Sequence, residues 1–147
     1  MTFDHIEHIK PKARDKHPEL TFEWTNLGLA CPSCNMNKGE DYSEDIPFVN
    51  PYVDDPPNHF VALGPFVYHK PGDQRADLTE NKIKLNRAEL VERRMERINM
   101  IRLLADKIAS VGEPILKRSL QEQMAIEIGQ DKPYSFCATS AFNHLLV

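Results

Sequence analysis

Cysteine is scarce in this 147-residue chain, with only Cys31, Cys34 and Cys137. An odd, small number argues against a disulfide framework. Cys31-Pro32-Ser33-Cys34 reads instead as a metal half-site, a redox pair or plain structure. Long apolar runs are also missing, and none approaches the ~18 residues a membrane span needs. Met1-Thr2-Phe3-Asp4-His5 shows no basic stretch followed by an apolar one, so no secretory signal is visible and a soluble cytoplasmic protein is expected. Positive charge is not in excess: 18 Lys and Arg against 22 Asp and Glu leave a net charge of -4. That argues against a free-standing, tight nucleic-acid binder, because neutralising phosphates takes clustered cations. The balance reverses locally, with ten basic residues against five acidic ones between Lys82 and Arg118.

What is present divides the chain into three blocks, read together as one compact α+β domain. Residues 1–40 are rich in His, Cys, Asn and Lys. Within them His5-Ile6-Glu7-His8-Ile9 predicts a short strand and Leu27-Gly28-Leu29-Ala30-Cys31 a second. Pro32 opens a short helix that Gly39 stops. Residues 41–81 hold eight prolines and glycines and predict a loop-rich connector packed on that core. Phe60–Leu63 and Phe66–Tyr68, bracketing Gly64-Pro65, form a candidate hairpin inside it. Residues 82–147 predict helices. Val91, Met95, Ile98, Ile101, Ala105 and Ile108 mark one buried stripe, and Gly112 and Pro114 end it. Leu116, Leu120, Met124 and Ile128 mark a second helix ending near Gly129, and a short third one runs through 141–145.

The first block carries the chemistry. Glu7-His8 places a carboxylate beside an imidazole, and a neutral His is the usual general base near pH 7. Glu7 and Asn35 are hard oxygen donors suited to Mg²⁺ or Mn²⁺. Lys38 lies one helical turn from Asn35 and shares its face. A base, two oxygen ligands and a cation are sufficient parts to hydrolyse a phosphodiester with one metal ion.

Glu7-His8-Ile9-Lys10-Pro11, then Asn26-Leu27, then Cys31-Pro32-Ser33-Cys34-Asn35-Met36-Asn37-Lys38 resembles the HNH endonuclease motif, three elements in order over about 40 residues. Phe22–Leu27, the Asn50-Pro51 turn and a helix start at Ile83–Arg87 are similar, more softly, to the HNH subunit of Septu-type anti-phage systems, which has relatives accompanying some retrons. The resemblance implies a ββα-metal core and roles for its residues. His8 would activate water. Glu7 and Asn35 would ligate one divalent ion. Asn26 would fix the loop between the strands and so orient His8, and Lys38 would contact substrate phosphate. It further implies nucleic acid as substrate, DNA before RNA, and an ABC-type ATPase as partner. An HNH scaffold that binds nucleic acid or protein without turnover is the alternative.

Plainer readings apply elsewhere. His5, in the rival acid-His pair Asp4-His5, is read as structural or peripheral, and Trp24 as an anchor that packs its loop on the core. His17, His59, His69 and His144 are assigned no chemistry. Lys10, Lys12, Arg14 and Lys16 either track phosphate or form a solvated loop. A structural zinc at Cys31 and Cys34 wants four ligands, and only two are evident. Either the site is lost, another ligand completes it, or the native chain starts upstream, and the balance falls against zinc. Cys137 reads as a buried small hydrophobe.

Overall fold

The computed structural model describes residues 4–145. Met1-Thr2-Phe3, part of the segment read for a secretory signal, lies outside them. The chain is mixed α+β and divides into two compact units, residues 1–60 with 69–85, and residues 61–68 with 86–147.

In the first unit β1 (His5–His8) pairs antiparallel with β2 (Leu27–Ala30), placing Glu7 opposite Gly28 and His8 opposite Leu27. β2 runs directly into α1 (Pro32–Lys38). Pro32 suits the first helical turn because its missing N–H would be unsatisfied there anyway. Gly39 ends the helix at φ 55, ψ -134, a conformation glycine reaches without a Cβ penalty. The outer edge of β2 is covered from the Asn50-Pro51 turn. The Tyr52 hydroxyl accepts from the Leu29 N–H at 2.8 Å and donates to the Leu29 carbonyl at 3.3 Å. The Tyr52 ring lies so near Gly28 that a Cβ there would stand 2.7 Å from its Cε2. Gly28 is therefore a close-approach position.

Two helices interrupt the block expected to be all loop and hairpin. α2 (Pro56–His59) is one turn, and α3 (Gln74–Ile83) is ten residues long. α3 shows no apolar stripe in Gln-Arg-Ala-Asp-Leu-Thr-Glu-Asn-Lys-Ile, which hid it from periodicity. Its buried residues are small, Ala76 and Thr79. The Thr79 hydroxyl accepts from the Val49 N–H and donates to the Arg75 carbonyl. A start signal was present, because the Asp73 carboxylate accepts from the Ala76 N–H as an N-cap. Ile83–Arg87, read as a helix start, is instead a junction. Ile83 closes α3, Lys84 takes a left-handed φ of 58, and the next helix begins at Ala88.

The second unit contains the body of the hairpin β3 (Phe60–Leu63) and β4 (Phe66–His69), with α4 (Ala88–Ser110), α5 (Pro114–Glu127) and α6 (Ser135–Leu145). Its core is Ile101, Met124 and Ala138, one residue from each helix, with Leu104, Ala105, Ile108, Ile128 and Phe142 packed around them. The predicted stripes supply most of that core. Met95 and Leu116, each placed on a stripe, stay exposed. α6 begins six residues before the span expected. Cys137 is buried as read, and burial pushes its thiol pKa up. Asn86 clamps the hairpin by accepting from the Val67 N–H and donating to the Val67 carbonyl, both at 2.9 Å. No helix among the described residues is long and apolar enough to cross a membrane.

The cap of α3 belongs to a charged network. His59 Nδ1 lies 2.6 Å from Asp73 Oδ2, and Arg75 holds Asp54 at 2.6 Å. The Ala76 N–H and then His59 outweigh partial burial and keep the Asp73 carboxyl below its ordinary 3.8. Burial works to raise Asp54, but Arg75 and the Asn50 N–H outweigh it, so Asp54 is lowered too. Groups depressed on folding lend stability that is fully present above their unfolded pKa and is lost as pH falls through the lower folded value. Asp73→Ala should therefore cost about 1 kcal/mol at neutral pH. The deficit against wild type should shrink below pH 3.8, as read by urea denaturation across pH. A deficit independent of pH would refute the ionic part of this account.

Candidate active site

β1 alternates, so His5 and Glu7 project from one face and Ile6 and His8 from the other. α1 lies over the His5–Glu7 face. Its residues Asn35 and Lys38, three apart, look down on the strand together. The Lys38 Nζ donates to Glu7 Oε1 at 2.6 Å and to the His8 carbonyl at 2.8 Å. Lys38 is only 8% exposed. Its ammonium is thus committed inside the unit, joining helix to strand. Glu7 Oε2 makes no hydrogen bond to any described residue. The Asn35 amide nitrogen stands 3.3 Å from His5 Nδ1.

His8 closes the strand and turns the other way. Its Nε2 lies 3.0 Å from the Thr21 carbonyl. A carbonyl only accepts, so Nε2 is the donor, and in the neutral ring that leaves the lone pair on Nδ1. No described hydrogen bond or ion pair joins the His8 ring to Glu7 or Asn35.

Asn26 is 5% exposed and holds the loop between the strands. Its Oδ1 accepts from the Lys10 N–H at 2.8 Å, and its amide nitrogen donates to the carbonyls of Lys10 and Leu20 at 3.0 and 3.3 Å. Leu20 neighbours Thr21, so one side chain ties both ends of the loop beside His8. Trp24, expected to anchor that loop, is instead 83% exposed. Backbone pairing explains this: the loop closes through two 3₁₀ turns, Pro18–Leu20 and Trp24–Asn26, without help from an aromatic.

Cys31 and Cys34 are thiols, and Cys31 Sγ accepts from the Cys34 N–H at 3.4 Å as the cap of α1. Among the described residues no group of three or more His, Cys, Asp and Glu side chains is placed to hold a metal. That does not count against an ion held by one carboxylate, an amide oxygen and water, a donor set suited to Mg²⁺ or Mn²⁺. Glu7, whose Oε2 makes no hydrogen bond to a described residue, and the Asn35 amide, one helical turn from the Lys38 that holds Glu7, are donors of that kind.

The basic residues are largely committed. Lys10 pairs with Glu44 and Lys16 with Glu40. In the Lys82–Arg118 stretch, Lys82 pairs with Asp41, Arg93 with Glu89, Arg97 with Glu127, Arg102 with Asp106 and Arg118 with Glu122. The Arg94 guanidinium donates to the Pro65 carbonyl. Lys12 and Arg14 make no ion pair among the described residues.

Residues 1–41 match the model of the family described as HNH endonuclease, so this end of the chain is an HNH endonuclease domain. The motif side chains described above all lie within it. The chain is also a distant homologue of the Septu protein PtuB of Bacillus thuringiensis, 38% identical over 84 residues. That match covers 57% of this chain and 31% of the relative, so the chain spans less than a third of that protein's length. No solved structure matches the chain.

His5, read as structural or peripheral, lies on the Glu7 face of β1 with its Nδ1 3.3 Å from the Asn35 amide nitrogen, a placement that strand alternation already implied.

Replacing Asn26 with Ala leaves the Lys10 N–H and the Lys10 carbonyl without their partner in a nearly closed site, while the Leu20 carbonyl keeps the Glu23 N–H. Each unmet buried group costs about 1–3 kcal/mol. Asn26→Ala should lose at least about 2 kcal/mol in denaturant unfolding and speed hydrogen exchange at the Lys10 amide. Unchanged exchange would refute the clamp.

Proposed function

We propose that this chain is a metal-dependent HNH endonuclease that hydrolyses phosphodiester bonds of nucleic acid, DNA before RNA, as the effector of an anti-phage complex. The single observation that carries the reading is the His8 ring: its Nε2–H is given to the Thr21 carbonyl, leaving Nδ1 as an acceptor at the end of β1. In this reading His8 takes a proton from the attacking water at Nδ1. Asn26 and the Thr21 carbonyl hold the ring to one tautomer and one direction. Glu7 and Asn35 would hold the divalent ion, which supplies charge stabilisation to the pentacovalent phosphate and the departing oxygen. Lys38 holds the Glu7 carboxylate in place; with its amine so committed, we assign it that positioning role in place of a phosphate contact.

In-line displacement needs the attacking and leaving oxygens on opposite sides of phosphorus. A base and an ion-binding carboxylate issuing from opposite faces of one strand end suit that requirement. The partner follows from charge. With a net charge of -4 and the basic stretch largely paired, little long-range attraction for a polyanion remains. An ABC-type ATPase would supply the grip, an inference that rests on the Septu relative.

His8→Ala should lower plasmid nicking by ~10²–10⁴-fold while the protein still melts cooperatively. EDTA should abolish nicking, and Mg²⁺ or Mn²⁺ should restore it. Nicking at wild-type rate by the His8→Ala protein would sink the assignment of the base. Co-expression with an ABC-type ATPase of the Septu kind should yield a complex that cuts faster than the isolated chain at about 150 mM salt, where the Debye length is ~8 Å. Equal rates would end the effector-subunit reading and leave the nuclease reading standing.

A further inference from the structure

We propose that His5 is a third protein ligand to the divalent ion, its Nδ1 joining the Glu7 carboxylate and the Asn35 amide oxygen, and that this makes Mn²⁺ the preferred ion over Mg²⁺. The inference rests on the metal reading above.

Strand and helix set His5 and Glu7 two residues apart on one face of β1, beneath Asn35 and Lys38 three apart on α1. The contacts run in parallel: Glu7 meets Lys38, and His5 meets Asn35 at 3.3 Å. The His5 ring makes no other hydrogen bond or ion pair among the described residues, and the residue is exposed, so packing does not explain its place. His8 differs, because its Nε2 is already engaged by Thr21.

An amide head turned by half a rotation exchanges oxygen for nitrogen at almost unchanged shape. Turned so, the Asn35 oxygen and the His5 Nδ1 lone pair would face each other at about the same separation. Without a cation that pair repels. With one, it closes an edge of an octahedron, whose adjacent ligands lie about 3 Å apart when bonds are ~2.1 Å. The observed 3.3 Å needs little adjustment to meet this. An imidazole nitrogen added to two oxygens changes the chemical class of ion. Mg²⁺ favours oxygen and retained water, whereas affinity for a nitrogen-bearing site rises from Mn²⁺ along the first transition row.

Mn²⁺ itself is the probe, added to the full chain and followed by electron spin-echo modulation and by isothermal titration, neither of which needs turnover. Wild type should bind one Mn²⁺ showing ¹⁴N modulation from a directly bound imidazole. His5→Ala and His5→Gln should lose that modulation and bind Mn²⁺ at least tenfold more weakly, while Mg²⁺ affinity changes less than threefold. His8→Ala should keep the modulation. Modulation that survives in His5→Gln and vanishes in His8→Ala overturns the proposal, and so does Mn²⁺ bound by wild type with no ¹⁴N coupling. In both cases the ion remains and the wider metal reading stands. If wild type binds no Mn²⁺, or Glu7→Gln binds it as tightly as wild type, the metal reading itself fails and His5 falls with it.

Discussion

An ammonium group taken out of water has to be met by anions and carbonyls, and Lys38 shows how much of a small domain that need can organise. Its Nζ reaches the Glu7 carboxylate and the His8 carbonyl at once, which couples α1 to the last two residues of β1. A buried ion pair contributes little to net stability, but removing one partner leaves an uncompensated charge at a cost of about 3–5 kcal/mol. The pair therefore specifies register more than it adds strength. With Lys38 above Glu7, Asn35 one turn earlier has to stand above His5, and a slip of one strand residue would break both contacts. The His5–Glu7 face of the strand is set by this constraint.

The other face depends on a different device. The loop between β1 and β2 contains no buried aromatic anchor, and its shape comes from backbone turns and Asn26. An amide suits that position because it accepts and donates at once: one oxygen for the Lys10 N–H, two hydrogens for two carbonyls. Aspartate would present charge to those carbonyls, and an apolar residue would leave the Lys10 N–H and carbonyl unmet. The Thr21 carbonyl that receives the His8 ring is thus held at one bond's remove. The Glu7 face is fastened by charge and the loop beside His8 by neutral hydrogen bonds, so each half can be perturbed almost alone.

Both strands, α1 and its glycine stop were legible in the sequence because each has a local cause. The stripes of α4 and α5 were legible because large apolar side chains recur at 3.6-residue spacing and end up around Ile101 and Met124. α3 was not, since it buries Ala76 and Thr79 and wins its place by an N-cap and one hydroxyl, neither of which leaves a hydrophobic period. The motif residues were legible as a set, yet their partners were not. Nothing in the order of residues says that Lys38 is enclosed, that His8 gives Nε2–H to a carbonyl thirteen residues on, or that Trp24 faces water. Those outcomes depend on which way a strand's two faces are turned, and that is decided by what packs above them.

The same facing decides the distribution of charge. A tally of ten basic against five acidic residues from Lys82 to Arg118 suggests a cationic track, but charge that can act on a distant phosphate is charge not already answered nearby. Glu89, Asp106 and Glu122 each sit four residues from an arginine on their own helix, Glu127 holds Arg97, and Asp41 holds Lys82. What these pairs leave is a short-range field, screened within about 8 Å at physiological salt. Lys12 and Arg14 lie in the loop whose Thr21 carbonyl meets the His8 ring, and they make no ion pair among the described residues. Lys107 and Lys117 likewise make no ion pair among the described residues, but most of the stretch is answered locally, and that distribution suits the proposed subunit, which depends on a partner to bring it nucleic acid.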